Sequence, residues 1–264
     1  IWFNDFEGAV RTFGSLDETS NEAGVSYTLA FGSNPGSPSR IRTGAAWRST
    51  RRDATSQGFR IQAFEWSPTD PRWQAPPEEF FDGRHAGPED QVFLLSRELS
   101  GGSYDADDAL LSAYIMGEVN LHERVRLVGG ARVENYTLTV NSENQLGQAQ
   151  ATEREYTDIL PSLTAIVGLA RDHQLRLAAS RTLARPEYRE LAPITYREVL
   201  GGEQVIGNAE LERTLIRNLD ARWEWYPGPG EVISLGVFTK HFDAPIEERY
   251  LARSGTDTRT FRHA

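Results

Sequence analysis

Asn218-Leu219-Asp220-Ala221-Arg222-Trp223-Glu224-Trp225-Tyr226-Pro227 alternates without a fault, with Leu219, Ala221, Trp223 and Trp225 on one parity and Asn218, Asp220, Arg222 and Glu224 on the other. Successive side chains of an extended chain point to opposite sides, so the stretch predicts a strand with one greasy face and one charged face. Pro-Gly-Pro-Gly at 227–230 then closes it in a tight turn.

The same period recurs along the chain. Val25, Tyr27, Leu29 and Phe31 oppose Ser26, Thr28, Ala30 and Gly32, and Ala109, Leu111, Ala113, Ile115, Val119 and Leu121 oppose Asp108, Ser112, Tyr114, Glu118 and Asn120. Val125, Leu127, Ala131 and Val133 face away from Arg124, Arg126, Arg132 and Glu134, as Ile159, Leu163, Ala165, Val167 and Leu169 do from Asp158, Ser162 and Thr164. Leu175, Leu177, Ala179 and Leu183 oppose Gln174, Arg176, Ser180 and Thr182, and Ile233, Leu235 and Val237 oppose Ser234, Gly236 and Lys240.

Alternation suits a soluble sandwich as well as a barrel, and the connections separate the two. Tight turns fall at 33–39, 121–124, 171–174 and 226–231, whereas long polar connections run over 67–107, 141–156 and 184–213. Short and long links that alternate along an antiparallel meander put all the short turns at one end of the sheet, as outer-membrane barrels do. A Greek-key sandwich has no reason to keep that order. The expected fold is therefore all-β: an antiparallel up-and-down meander, part of a large transmembrane β-barrel, with about eight strands present and the barrel not closed.

Composition agrees. The hydrophobic share of 39% is low for a globular chain, yet 6 Trp, 9 Tyr and 12 Phe exclude a disordered one. No stretch approaches the roughly 18 apolar residues of a membrane helix, so a membrane crossing here must be made by strands. The absence of cysteine excludes disulfides and thiolate chemistry, and a net charge of −10 argues against a nucleic-acid partner. Lys240 is the only lysine among the basic residues, a compositional bias without functional weight.

On the barrel reading, the polar parity supplies lumen-facing candidates: Arg40, Arg42, Arg48, Arg126, Arg132, Glu134, Arg176, Asn218, Asp220, Arg222 and Glu224. Arg40, Arg42, Arg48 and Arg52 share one strand face, suited either to guiding an anionic solute or to pairing with carboxylates of wall or plug. Phe31, Trp47, Trp223 and Trp225 are the expected lipid-interface aromatics. Two features resist the pattern. Arg181 falls on the greasy parity, which requires a bulge or a strand already leaving the bilayer, and after Val133 the apolar set moves to Tyr136, Leu138 and Val140, as a bulge would make it do.

Several blocks in order carry a family resemblance: SAYIMGEVNL at 112–121, LVGGARVENY at 127–136, LPSL at 160–163, RTLARPEYRELAP at 181–193, GNAEL at 207–211, NLDARWEWYP at 218–227 and GVFTKHFDAPIEE at 236–248. In Arg185-Pro186 the proline removes a ladder donor, so the strand beginning near Gln174 should end there, and Gly207-Asn208 favours a turn before the next strand. Over about residues 104–250 the chain resembles TonB-dependent outer-membrane receptors. The resemblance implies a barrel of about 22 strands around a plug, with uptake of a scarce solute (siderophore, vitamin, saccharide or peptide) driven by the TonB complex acting through that plug. Residues 1–264 then read as an internal barrel fragment, with plug and terminal strands outside it.

Candidate chemistry is sparse. His85, His122, His173, His241 and His263 are scattered, and no nucleophile elbow, zinc-binding helix or phosphate loop occurs, so neither an enzyme, a cofactor nor a metal is expected. The acidic run Tyr104-Asp105-Ala106-Asp107-Asp108 offers oxygens to a calcium ion but reads better as a solvated loop end. The competing reading is a soluble extracellular β-rich carbohydrate-binding module, which requires the greasy faces to pack on each other. A small outer-membrane enzyme barrel would need a catalytic set that the scattered histidines do not offer.

Overall fold

The computed structural model describes residues 10–32, 39–63, 69, 71–81, 83–86, 91–97, 102–143, 148–197, 203–251 and 258–264. Among them lie thirteen strands and two one-turn α-helices. In chain order these are β1 (Val10–Phe31), β2 (Ser39–Ala63), α1 (Pro77–Phe80), β3 (Phe93–Arg97), β4 (Tyr104–His122), β5 (Val125–Glu143), β6 (Ala149–Ala170) and β7 (His173–Ala184). There follow α2 (Tyr188–Leu191), β8 (Thr195–Arg197), β9 (Gln204–Ile206), β10 (Thr214–Trp225), β11 (Ile233–Asp243), β12 (Ile246–Leu251) and β13 (Thr258–His263).

Eight long strands hydrogen-bond in the order β1-β2-β4-β5-β6-β7-β10-β11, with short β3 added beside β2. Every neighbouring pair is antiparallel, and the path is open, so the expected unclosed meander is what forms. A second sheet, β12-β13-β9-β8, was not legible in the alternation, and β13 runs parallel to β9.

Directly opposed residues share a face, and register ties the eight long strands together. Val25 opposes Ala45, Trp47 opposes Leu111, Val133 opposes Ile159, Leu163 opposes Ala179, and Ala179 opposes Leu219, which opposes Thr239. Odd-numbered residues thus form one continuous face and even-numbered residues the other. The odd face is open: Val25 is 73% exposed, Ile115 59% and Val237 66%. Part of the even face is covered, and Ala106, Asp108, Tyr136, Leu138 and Val140 are buried there.

Four expectations need correction. The stretch 141–156 is not a long loop, because β5 runs to Glu143 and β6 starts at Ala149. The hairpin simply continues, with polar contacts on its open face such as Asn135 Nδ2 to Thr157 Oγ1 on β6 at 3.1 Å and Asn141 Nδ2 to Asp105 Oδ2 on β4 at 2.8 Å. The first strand begins at Val10, well before the alternating stretch at Val25, because the ladder with β2 persists through polar residues. The acidic run 104–108 lies inside β4, where alternation sends Asp105 and Asp107 to one face and Asp108 to the other, so its carboxylates do not converge on a cation.

Nor does a bulge follow Val133. The β4–β5 register is continuous from Tyr104↔Ser142 to Asn120↔Arg126, and Tyr136, Leu138 and Val140 are greasy because they face a buried cluster on the even side. Arg181 likewise keeps its open-face parity, directly opposite Arg217. Of the expected tight turns, residues 33–38 lie outside the described residues, whereas Glu123-Arg124 and Arg171-Asp172 are two-residue links.

Close strand approach explains one glycine. A Cβ on Gly130 would lie 2.1 Å from the Ile115 carbonyl oxygen, whereas one on Gly117 would meet only the Gly129 carbonyl oxygen, at 3.9 Å. Gly130→Ala is expected to lower the unfolding midpoint of the complete protein by an amount equivalent to about 1–3 kcal/mol, as overpacking does, while Gly117→Ala leaves it within error. Equal midpoints for the two variants would contradict the packing described.

Candidate functional site

The covered part of the even face is made by residues 185–197 and 203–213, which lie between β7 and β10 and fold back over β4, β5 and β6. Pro186 is buried and has no N–H to offer a ladder, so β7 stops at Ala184 as expected from the sequence. The chain then makes α2, where the Glu187 N–H donates to the Glu190 carboxylate at 2.8 Å. Leu191, Ala192, Ile194 and Leu211 are buried with Ala106, Tyr136, Leu138 and Val140 in one cluster.

Gly207-Asn208 joins this segment from the other side. The Gly207 N–H donates to the Ile194 carbonyl at 3.2 Å and the Asn208 N–H to the Glu190 carbonyl at 2.6 Å. A Cβ on Gly207 would stand 1.9 Å from the Ala192 carbonyl oxygen, so only glycine permits the approach. The blocks 181–193 and 207–211, separate in sequence, are thus two sides of one packed unit. Arg154 of β6 ties it to the wall by donating to the carbonyls of Leu211, at 3.0 Å, and Ala209.

Charged groups of the wall complete the attachment. Asp108 Oδ2 accepts from Tyr188 Oη at 2.7 Å, Tyr136 Oη at 3.2 Å and Arg48 Nη2 at 3.3 Å. Burial and then the bond to Asp108 push the Tyr188 hydroxyl above the ordinary phenol range, so it remains a donor. Glu134 accepts from Arg132 Nε and Arg185 Nη2, each at 2.7 Å, and the Arg185 guanidinium lies 4.3 Å over the Tyr136 ring. Asp158 accepts from Arg213 Nε at 2.8 Å, and Arg52 both donates to Glu18 at 2.6 Å and lies 4.8 Å over the Tyr188 ring.

All eleven polar candidates read from the sequence are even-numbered and so lie on this one face. Arg48, Arg132 and Glu134 belong to the attachment just described. Arg42 Nε donates to Thr28 at 3.2 Å, Arg126 pairs with Glu118 at 3.3 Å, and Arg40 stands between Ala30 and Glu118 in register. Near the opposite end, Glu224 accepts from Arg176 at 2.9 Å, Arg222 at 3.0 Å and Tyr226 at 2.7 Å. Asn218 is buried and donates to Thr182 at 3.1 Å, while Asp220 is exposed. Phe31, Trp47, Trp223 and Trp225 lie on the open face, the last two with His173 stacked against them at 5.5 and 5.7 Å.

Sequence reasoning missed Asp108, Tyr136, Tyr188, Arg154, Arg185, Asp158 and Arg213 as a connected set. The available signal was the apolar shift at Tyr136, Leu138 and Val140, which marks a second layer on the polar face.

The chain matches the family described as TonB-dependent receptor-like, β-barrel, over residues 2–262. It belongs to that family. No curated protein matches it in sequence. Among solved structures it resembles FpvA of P. aeruginosa bound to heterologous pyoverdines, at 13% identity, 95% of this chain, 29% of that one and a TM-score of 0.57. It also resembles FpvAI in its complex with pyocin S2, at 14% identity, 95% of this chain, 30% of that one and a TM-score of 0.55. The copper transporter OprC gives 16% identity, 94% of this chain, 34% of that one and a TM-score of 0.50. The chain therefore spans about a third of the length of these proteins, and the likeness is one of fold. The family is one of outer-membrane transport receptors, not enzymes.

For this receptor barrel segment, the attachment of 185–213 predicts how the segment opens. Tyr188→Phe removes one hydrogen bond to a buried carboxylate, worth about 1.5–3 kcal/mol, and should speed tryptic cleavage after Arg189 in the complete folded receptor about tenfold or more. Gly207→Ala should speed it further by separating the two packed halves. Cleavage at the wild-type rate in both would mean that the segment is not held by these contacts.

Proposed function

We propose that this chain is part of the wall of an outer-membrane receptor that imports a scarce solute with energy delivered by the TonB complex. Its odd-numbered face meets lipid and its even-numbered face lines the lumen. The observation that carries the reading is the parity that register holds across eight strands: rows such as Leu177 and Val237 stand exposed on one face, while the ion pairs of Glu134 and Glu224 and a folded-back segment occupy the other. A soluble carbohydrate-binding module would pack those apolar residues against a second sheet, and Leu219 and Leu235 are instead 56% and 68% exposed.

On this reading Phe31, Trp223 and Trp225 mark the periplasmic interface and Trp47 the opposite one. The plug, the remaining strands and the TonB-contact segment belong to the complete receptor. A metal-bearing solute is the favoured cargo, in line with the pyoverdine–iron complex and the copper named for two of the similar structures.

Two measurements test the proposal. The complete receptor should fractionate with the outer membrane and support accumulation of a ferric siderophore or copper that collapses when the proton-motive force is removed; accumulation unaffected by that treatment contradicts TonB-driven import. Leu177→Arg, in the middle of the open face, should destabilise the membrane-inserted barrel by about 2–4 kcal/mol, and Leu215→Arg, beyond the apolar rows, by much less. Equal tolerance at both sites would remove the lipid-facing assignment.

A further inference from the structure

The open face of β7, β10 and β11 can be read in rows of directly opposed residues. His173, Trp225 and Ile233 form the first row, then Leu175, Trp223 and Leu235, then Leu177, Ala221 and Val237, then Ala179, Leu219 and Thr239. The next row is Arg181, Arg217 and His241. A face that is apolar or weakly polar beyond its first row for three further rows thus becomes basic across all three strands at one level.

That level has a position. From Trp225 to Arg217 is eight residues of strand, which at about 3.4 Å each and a tilt of about 35–45° rises roughly 19–22 Å. The apolar band of such barrels is about 25 Å tall, and an arginine stem reaches the remaining few Å. The three basic side chains therefore meet the bilayer at headgroup height, at the end of the sheet that carries 185–213.

The row is short of negative charge. Arg217 and Arg181 are directly opposed, an arrangement that repels. Asp243 pairs with Arg217 at 3.2 Å and lies 3.3 Å from His241, so one carboxylate serves two basic groups. Arg181 has no ion pair among the described residues. Its β6 neighbour at that level is Pro161, which has no N–H to donate, and the β6–β7 ladder stops at Ser162↔Ser180. The facing charges on all three strands are thus two arginines and a histidine against one aspartate, on a surface that stays open because lipid is its solvent.

We propose that Arg181, Arg217 and His241 bind a phosphate of a phosphorylated glycolipid in the outer leaflet. The proposal rests on the outer-membrane reading above, which puts this end of the sheet outside the cell. Guanidinium groups pair with phosphate oxygens through two parallel N–H donors, which a row of two arginines spaced about 5 Å apart by the strand separation is built to do. Occupancy by phosphate also removes the Arg181–Arg217 repulsion, so lipid binding and local stability are coupled.

The test uses the complete receptor in detergent, observed by native mass spectrometry after addition of bisphosphorylated lipid A, dephosphorylated lipid A or phosphatidylglycerol. Wild-type receptor is expected to retain the bisphosphorylated glycolipid, and R181Q/R217Q to retain it about tenfold less or weaker still. R181Q alone, which leaves the Arg217–Asp243 pair in place, gives an intermediate loss and serves if the double variant fails to fold. Arg51→Gln, on the same face but on β2 and beside Asp53, is the unaffected control. Equal retention by wild type and R181Q, or retention of dephosphorylated lipid A as strong as of the phosphorylated form, overturns the site; equal retention of phosphatidylglycerol overturns the glycolipid assignment. Fractionation of the receptor away from the outer membrane would instead fail the underlying reading, and the two failures are told apart by that separate assay.

Discussion

Backbone hydrogen bonding in lipid is the constraint from which the rest of this structure follows. A peptide group in hydrocarbon finds no water, so each N–H and C=O must be satisfied by the neighbouring strand. The ladders are accordingly long, and the two register shifts, at Asn120/His122 and Gly168/Ala170, lie beside turns. With register held through the strand bodies, side chains sort by parity alone. On the barrel reading proposed above, lipid, lumen and the folded-back segment each then act on a fixed set of residue numbers.

Ion pairs on the even face serve as ties more than as net sources of stability. Asp108, Glu134 and Asp158 are each nearly buried and each accept an arginine. Removing two charges from water costs several kcal/mol, which their attraction roughly offsets, whereas removing one partner leaves an uncompensated charge. Such pairs disfavour any placement of 185–213 other than the one in which Arg185, Tyr188 and Arg213 meet their carboxylates. Position is what they determine, and the apolar cluster beneath supplies the driving force.

The meander, the eight main strands and the parity of every polar candidate were legible because an exposed apolar face, lipid-facing on the proposed reading, imposes a period of two that nothing else competes with between Val125 and Val133 or between Leu219 and Trp225. Legibility failed where the solvent changed. Beyond Val133 the open face carries Asn135, Thr137 and Thr139, so the greasy parity shifted to Tyr136, Leu138 and Val140 and suggested a bulge, and past Val140 a continuing strand looked like a loop. The site residues Tyr188, Arg185 and Arg154 were hidden for a different reason: their partners are 51 to 80 positions away in sequence, and no local pattern announces a chain that turns back over its own wall. Gly207 was read as a turn former, when its stricter role is to let one backbone touch another.

The inversion along β5 also bears on whether 185–213 can act as a moving gate. Below Val133 the strand buries nothing of its own on the even side, and above it Tyr136, Leu138 and Val140 are buried in the cluster that Leu191, Ile194 and Leu211 join. Lifting the segment would expose all six side chains, and at about 1.5 kcal/mol each for burial this alone is on the order of 9 kcal/mol, before the ties to Asp108 and Glu134 are broken. A displacement of that cost leaves the open form populated far below the 0.1–10% typical of a working minor state. The segment is therefore a thickening of the wall, and on the transport reading proposed above a solute passing along this face would meet a fixed surface here. Whatever movement such passage required would fall to parts that bury less against the even face.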